Sequence, residues 1–231
     1  MTPLPPHARP LKLWVAGQKL FGAAALALCL QRGHDVVGVS SPPTSSGGDR
    51  PDRLRDAAER AGVPWRPAGT LRAELLPDGT DLIVCAHAHE FVGRPTRLKA
   101  RLGAIGYHPS LLPLHRGRDA VEWTIRMRDR VAGGSVYWLT DGVDAGPLAA
   151  QRHVFVRPGD TAAELWRRDL FPLGLELLDR VLADVAEGVV VRVDQAAAAA
   201  TWEPSIGREP VARPELPMLG HIAGCDVRTR F

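Results

Sequence analysis

The feature that most constrains the fold is an alternation along the chain. Short runs apolar on both faces take turns with segments whose apolar residues recur at helical spacing. Leu11–Ala16 reads as a buried strand, Leu20–Arg32 as a helix closed by Gly33, and Asp35–Ser40 as a second strand. A Pro/Ser/Gly-rich loop over 41–48 leads to a helix over Arg50–Ala61, with Leu54, Ala57, Ala58 and Ala61 on one face. An extended piece follows from Gly62 to Trp65, and Asp81–Ala86 is a strong buried strand. Beyond a strand ending at His108, the pattern predicts a helix over Arg118–Arg128 and strands over Gly134–Thr140 and Pro147–Phe155. A long helix spans Thr161–Glu187, opened by Asp160 or Thr161 with Glu164 in the first turn and closed by Gly188. Strands that are apolar on both sides need cover on both sides, which predicts a three-layer α/β domain with a mostly parallel sheet. That domain is expected over 11–187. A proline-rich, disordered or extended start precedes it over 1–10, and a tail over 188–231 is expected to pack on it.

Composition narrows the function classes. Hydrophobic residues make up 45% and charged residues 24%, as in a globular protein with a full core. The net charge is +3, and the arginines are interleaved with Asp and Glu, as in Asp49-Arg50-Pro51-Asp52-Arg53. No basic run tracks a phosphate backbone, so nucleic acid is not an expected partner. Cys29, Cys85 and Cys225 have no paired spacing, which points to a reducing compartment. The longest apolar run, Leu20–Leu30, falls short of the ~20 residues that span a bilayer. A cytoplasmic protein with no membrane association is expected.

In parallel sheets, ligands bind beyond the carboxyl ends of the strands. Two loops there carry chemistry. One is Tyr107-His108-Pro109-Ser110-Leu111-Leu112-Pro113-Leu114-His115-Arg116-Gly117, and the other is Thr140-Asp141-Gly142-Val143-Asp144-Ala145-Gly146-Pro147. Together they can set the His108 imidazole beside the Asp144 carboxylate, a pair suited to moving protons during attack on a carbonyl. At the end of the Asp81–Ala86 strand, an extended Cys85-Ala86-His87-Ala88-His89 would point Cys85, His87 and His89 to one side. These are zinc-ligand types, but no fourth ligand presents itself except His108 or Asp144, so no metal is expected. Trp123, Tyr137 and Trp138 read as core or sheet packing, and Arg116, Arg118 and Asp119 as a loop-locking charge group. Gly17 to Gly22 lacks the full Gly-x-Gly-x-x-Gly, so no nucleotide is expected.

The paired loops resemble those of the formyltransferase family that uses 10-formyltetrahydrofolate. His108-Pro109-Ser110-Leu111-Leu112-Pro113 and Asp141-Gly142-Val143-Asp144-Ala145-Gly146-Pro147 carry the resemblance. Within that family the likeness is strongest to the N-terminal hydrolase domain of 10-formyltetrahydrofolate dehydrogenase. Gly17-Gln18-Lys19-Leu20-Phe21-Gly22 and Leu170-Phe171-Pro172 add to it, and it runs from about Lys12 to Pro204. The resemblance implies a Rossmann-like fold, with His108 and Asp144 catalytic and the Leu112–Pro113 bond cis. It also implies a pterin seated against the backbone of Glu90-Phe91-Val92 and Asp141-Gly142-Val143. The implied formyl donor is 10-formyltetrahydrofolate, leaving as tetrahydrofolate, and the implied acceptor is a small amine. Most members carry an asparagine two residues before the histidine, where it supports the oxyanion; here that position is Gly106. His87 or His89 is the expected substitute donor. The departure keeps two alternatives in view: hydrolysis to formate and tetrahydrofolate, and a folate-binding protein without turnover. Glycinamide ribonucleotide enzymes carry a glycine- and asparagine-rich phosphate loop after the first strand, whereas this chain has Gln18-Lys19-Leu20-Phe21.

Overall fold

The computed structural model describes residues 5–45, 48–88, 90–204 and 206. Its elements begin with β1 (Lys12–Gly17), α1 (Lys19–Gln31), β2 (Asp35–Ser41), α2 (Arg53–Arg60), β3 (Trp65–Pro67), a 3-10 turn (Ala73–Leu75) and β4 (Leu82–Ala86). They continue with α3 (Arg94–Lys99), β5 (Ala104–His108), α4 (Ala120–Arg126), β6 (Val131–Trp138) and β7 (Leu148–Phe155). A helical run then joins α5 (Ala162–Leu165), a π-helical stretch (Trp166–Leu170) and α6 (Phe171–Ala186), and a 3-10 turn (Ala197–Ala199) follows.

One sheet holds all seven strands in the order β3-β2-β1-β4-β5-β6-β7. The pairs from β3 to β5 are parallel, and β6 and β7 add antiparallel pairs at one side. Period-2 alternation feeds two cores. Leu13 and Val15 of β1, Leu82 and Val84 of β4, and Ile105 and Tyr107 of β5 join residues of α1 and α6. Trp14, Ala16, Ile83, Cys85 and Ala104 point the other way and meet Leu71, Leu76, Val92 and Ala100. The sheet therefore has cover on both faces, as the doubly apolar strands require.

The strand order reverses between β1 and β4, which are neighbours although β2 and β3 lie between them in the chain. Such a switch point opens a crevice at the carboxyl ends of the strands. Gly33 ends α1 with φ +79, the left-handed conformation that a helix-closing glycine supplies.

Several boundaries differ from the sequence pattern, among them β6, which runs from Val131 to Trp138 where Gly134–Thr140 was expected, its first residues pairing with the end of β7. Helix α2 begins at Arg53 rather than Arg50, because Asp52 caps it, its carboxylate accepting from Leu54 N at 2.9 Å. The long C-terminal helix does start at a capping box of Thr161 and Glu164, but it widens to π geometry over Trp166–Leu170. Pro172 has no N–H to continue the ladder, and the wider turn accommodates that loss. The six-residue α3 falls in a stretch with no helical periodicity to announce it.

Residues 5–10 form no helix or strand, and His7 anchors them: its N donates to Arg32 O at 3.0 Å and its Nδ1 lies 3.0 Å from His34 Nε2. After Gly188 the chain crosses the sheet. Trp138 Nε1 donates to Val191 O at 2.8 Å, Val193 pairs with Leu148, and Trp123 Nε1 donates to Pro204 O at 2.8 Å. The expected packing of 207–231 lies outside the described residues. Among those residues no helix is long and apolar enough to cross a membrane.

Candidate active site

His108 is the last residue of β5 and is buried. Its Nε2 lies 2.7 Å from the carbonyl oxygen of His115. A carbonyl only accepts, so Nε2 carries a hydrogen, and in the neutral ring Nδ1 holds the lone pair. Nδ1 faces Asp144 Oδ2 at 3.5 Å, an ion-pair distance longer than a hydrogen bond. The His115 carbonyl, not the carboxylate, therefore sets the ring's orientation.

Asp144 has φ +49 and is held at several points. Oδ2 accepts from Gly117 N at 2.7 Å, and Oδ1 accepts from the Tyr137 hydroxyl at 2.5 Å. From the tail, Gln195 Nε2 donates to Asp144 O at 2.8 Å and to Gly146 O at 2.7 Å, while its Oε1 accepts from Arg116 Nη2 at 2.6 Å. Gly146 admits no side chain, because a Cβ there would lie 1.7 Å from Trp138 O. The turn thus presses against the end of β6.

A polar frame carries the histidine loop. Ser135 Oγ of β6 donates to Ser110 O at 2.6 Å and accepts from Leu112 N at 3.1 Å. The Leu112–Pro113 bond is cis. The His115 ring sits between Asp129, at 2.8 Å from Nε2, and Glu203, at 3.1 Å from Nδ1. Burial works against charge on this ring, but the two carboxylates outweigh it and hold its pKa above the usual histidine value.

The two backbone segments expected to meet the pterin are joined by one side chain. Arg97 of α3 is buried; its Nη1 donates to Val92 O at 2.7 Å and its Nη2 donates to Asp141 Oδ1. Glu90 accepts from Ser40 Oγ and, at 2.7 Å, from Gly69 N. Phe91 and Val143 are 75% and 53% exposed, and Gly142 lies between Asp141 and Val143 at the turn.

The Cys85–His89 stretch departs from the extended reading. Strand β4 stops at Ala86 and His87 takes φ +58, which breaks the alternation. The His87 ring lies edge-on to Trp166, with centroids 6.2 Å apart, while Cys85 packs into the core on the opposite face. Burial pushes the Cys85 thiol up to about 12, so it stays protonated. His89 lies outside the described residues, and among the described ones no group of three or more His, Cys, Asp or Glu is arranged to hold a metal.

Tyr137 is more than packing, since its hydroxyl ends on Asp144. Arg97, His115, Gln195 and Tyr137 are the residues that reading by motif missed. The one signal for Tyr137 was its place on a strand beside the histidine strand.

The imidazole–carboxylate pair thus lies at the carboxyl ends of the strands, where α/β sheets of this kind bind their ligands. The chain belongs to the formyl transferase family, which it matches over residues 13–178. It is 38% identical over 203 residues to the mitochondrial 10-formyltetrahydrofolate dehydrogenase of Mus musculus, a match covering 84% of this chain and 22% of that protein. The chain thus spans about a fifth of the length of that dehydrogenase. It is 32% identical over 209 residues to the methionyl-tRNA formyltransferase of Methylobacterium nodulans, covering 87% of this chain and 67% of the relative. Among solved structures, glycinamide ribonucleotide transformylase 1 from Symbiobacterium toebii superposes with a TM-score of 0.66 at 26% identity, covering 80% of this chain and 95% of that one.

Proposed function

We propose that this chain takes the formyl group from 10-formyltetrahydrofolate and passes it to a small amine, with His108 and Asp144 as the catalytic pair. The observation that carries the reading is the fixed pair itself: His108 Nδ1 stands 3.5 Å from an Asp144 carboxylate that the backbone of Gly117 holds in place. The lone pair on Nδ1 takes the proton from the attacking amine as its nitrogen bonds to the formyl carbon. Asp144 stabilises the resulting imidazolium, which returns the proton to the departing folate nitrogen as the old carbon–nitrogen bond breaks. The pterin lies against the backbone of Glu90-Phe91-Val92 and Asp141-Gly142-Val143. Arg97, by tying Val92 to Asp141, keeps the two segments at one spacing. The exposed apolar Phe91 and Val143 suit a flat heteroaromatic ring. Residues 11–187 form the catalytic domain, and the tail completes it through Gln195. Lys19 N at the start of α1 already holds both oxygens of Asp52, at 3.1 and 3.0 Å, which supports an acceptor with no phosphate at this position.

Hydrolysis is the second reading. It is favoured by Gly106, which offers no amide to the oxyanion, and by the likeness to the dehydrogenase. Both readings require folate binding, and a ligand at ~100 times its dissociation constant stabilises a fold by about 2.7 kcal/mol. A raised melting temperature with 5-formyltetrahydrofolate is the expected result, and no shift at saturation would contradict both. The ratio of formylated amine to free formate, measured with 10-formyltetrahydrofolate and a panel of amines, then separates transfer from hydrolysis.

A further inference from the structure

Strand β6 carries a hydroxyl whose partner lies in the loop across the site. Tyr137 stands opposite Gly106 in the antiparallel β5–β6 pair. It points away from the core that Val136 and Trp138 enter, to the side that Gly106 and His108 share by alternation. A methyl group at Gly106 would sit 3.2 Å from Tyr137 Cε1 and 3.1 Å from Leu139 Cδ1. The tyrosine ring therefore fills the room in front of the glycine. From there its hydroxyl reaches Asp144 Oδ1 at 2.5 Å, on the far side of the carboxylate from Gly117 N and His108. The backbone of Asp144 is left-handed, a conformation that persists only where the surroundings impose it.

We propose that Tyr137 is a positioning residue: its hydroxyl holds Asp144 with Oδ2 turned toward His108, and the bare backbone of Gly106 is what lets the ring reach it. The proposal rests on the assignment of His108 and Asp144 to catalysis. Burial first, and the Asp144 charge second, push the Tyr137 phenol well above its usual pKa, so it keeps its proton and donates throughout the neutral range. A carboxylate gripped at one oxygen only is free to swing about its Cα–Cβ and Cβ–Cγ bonds. Gripped at both, it keeps one oxygen on the imidazole.

Tyr137→Phe tests this, because it keeps the ring over Gly106 and removes only the hydroxyl. The expected result is a kcat for cleavage of 10-formyltetrahydrofolate lowered roughly 10- to 100-fold, the worth of a hydrogen bond to a charged group. KM for the folate should stay within about twofold, since the hydroxyl serves the reacting pair and not the folate. In an Asp144→Asn background the same change should cost nothing further. Gly106→Ala, which crowds the ring, should lower kcat alone and add nothing to Tyr137→Phe. A wild-type kcat for Tyr137→Phe, or an equal loss in both Asp144 backgrounds, would overturn the positioning role. If Asp144→Asn itself keeps wild-type turnover, the catalytic assignment beneath it fails instead, so the two failures are told apart.

Discussion

His108 receives its geometry from one atom and its charge partner from another. The His115 carbonyl orients the ring at 2.7 Å, and the Asp144 carboxylate lies 3.5 Å from Nδ1. If the two side chains act as a unit, His108→Ala and Asp144→Ala should each lower turnover by ~10²–10⁴, and the double variant should be little worse than either. Steady-state rates on 10-formyltetrahydrofolate check this, and near-normal activity in either single variant would remove that residue from the mechanism. Gly106→Asn has a definite outcome now that its surroundings are visible. The backbone there is ordinary β strand, but the space belongs to Tyr137 and Leu139. The amide should therefore displace the ring, and the rate should fall with no gain in transfer over hydrolysis. A rise in formylated amine would show that the site accepts an asparagine after all. The meeting of His108 and Asp144 was legible because each sits in a run of fixed-geometry residues, the prolines and glycines of the two loops. Tyr137 was not, because a strand tyrosine looks the same whether its hydroxyl meets water or a carboxylate; only the returning loop decides.

At the scale of elements, the strands were the most legible part, since β1, β2 and β4 lie within a residue or so of their apolar runs. Helix α3 was not, being six residues long with no repeat, and Arg97 went unseen with it. Arg97→Ala should release Val92 and Asp141 and raise the folate dissociation constant while sparing the rate at saturation, a split that titration calorimetry and saturation kinetics resolve. The C-terminal helix was legible at both ends through its caps. Thr161→Ala should cost ~1 kcal/mol of stability by removing the bond to Glu164 N at 3.3 Å. The His115 loop carries a pH dependence whose sign follows from its raised pKa. A histidine held above its unfolded value stabilises the fold fully below that value, and the gain fades as pH rises through the folded pKa. Glu203→Gln should therefore lower the melting temperature at pH 6 and do far less at pH 9. Equal losses at both values would show that the charge on His115 does not matter.

For the whole molecule, the sheet order places the site before any side chain is considered. The reversal between β1 and β4 opens the crevice, and β5 beside β4 delivers His108 to its edge. This much follows from alternating apolar runs. The part that does not is the tail, which has no periodicity yet supplies Gln195 to the Asp144 turn and Glu203 to His115. Its contacts run through both backbone and side chains, as in the Val193–Leu148 bridge and the Arg116–Gln195 bond, and are set by the folded surface and not by a local repeat. Gln195→Ala should loosen the Asp144 turn and lower kcat roughly 10- to 100-fold, as small misplacements of reacting groups do. Every role proposed for these residues depends on formyl cleavage at His108. The most direct measurement mixes enzyme in excess with 10-formyltetrahydrofolate, with and without amines, and follows the absorbance change as tetrahydrofolate forms. Wild type should release tetrahydrofolate in a single exponential, while His108→Ala, still stabilised by folate, releases none on that timescale. A wild-type protein that binds folate and leaves the formyl group in place under every condition would contradict the account.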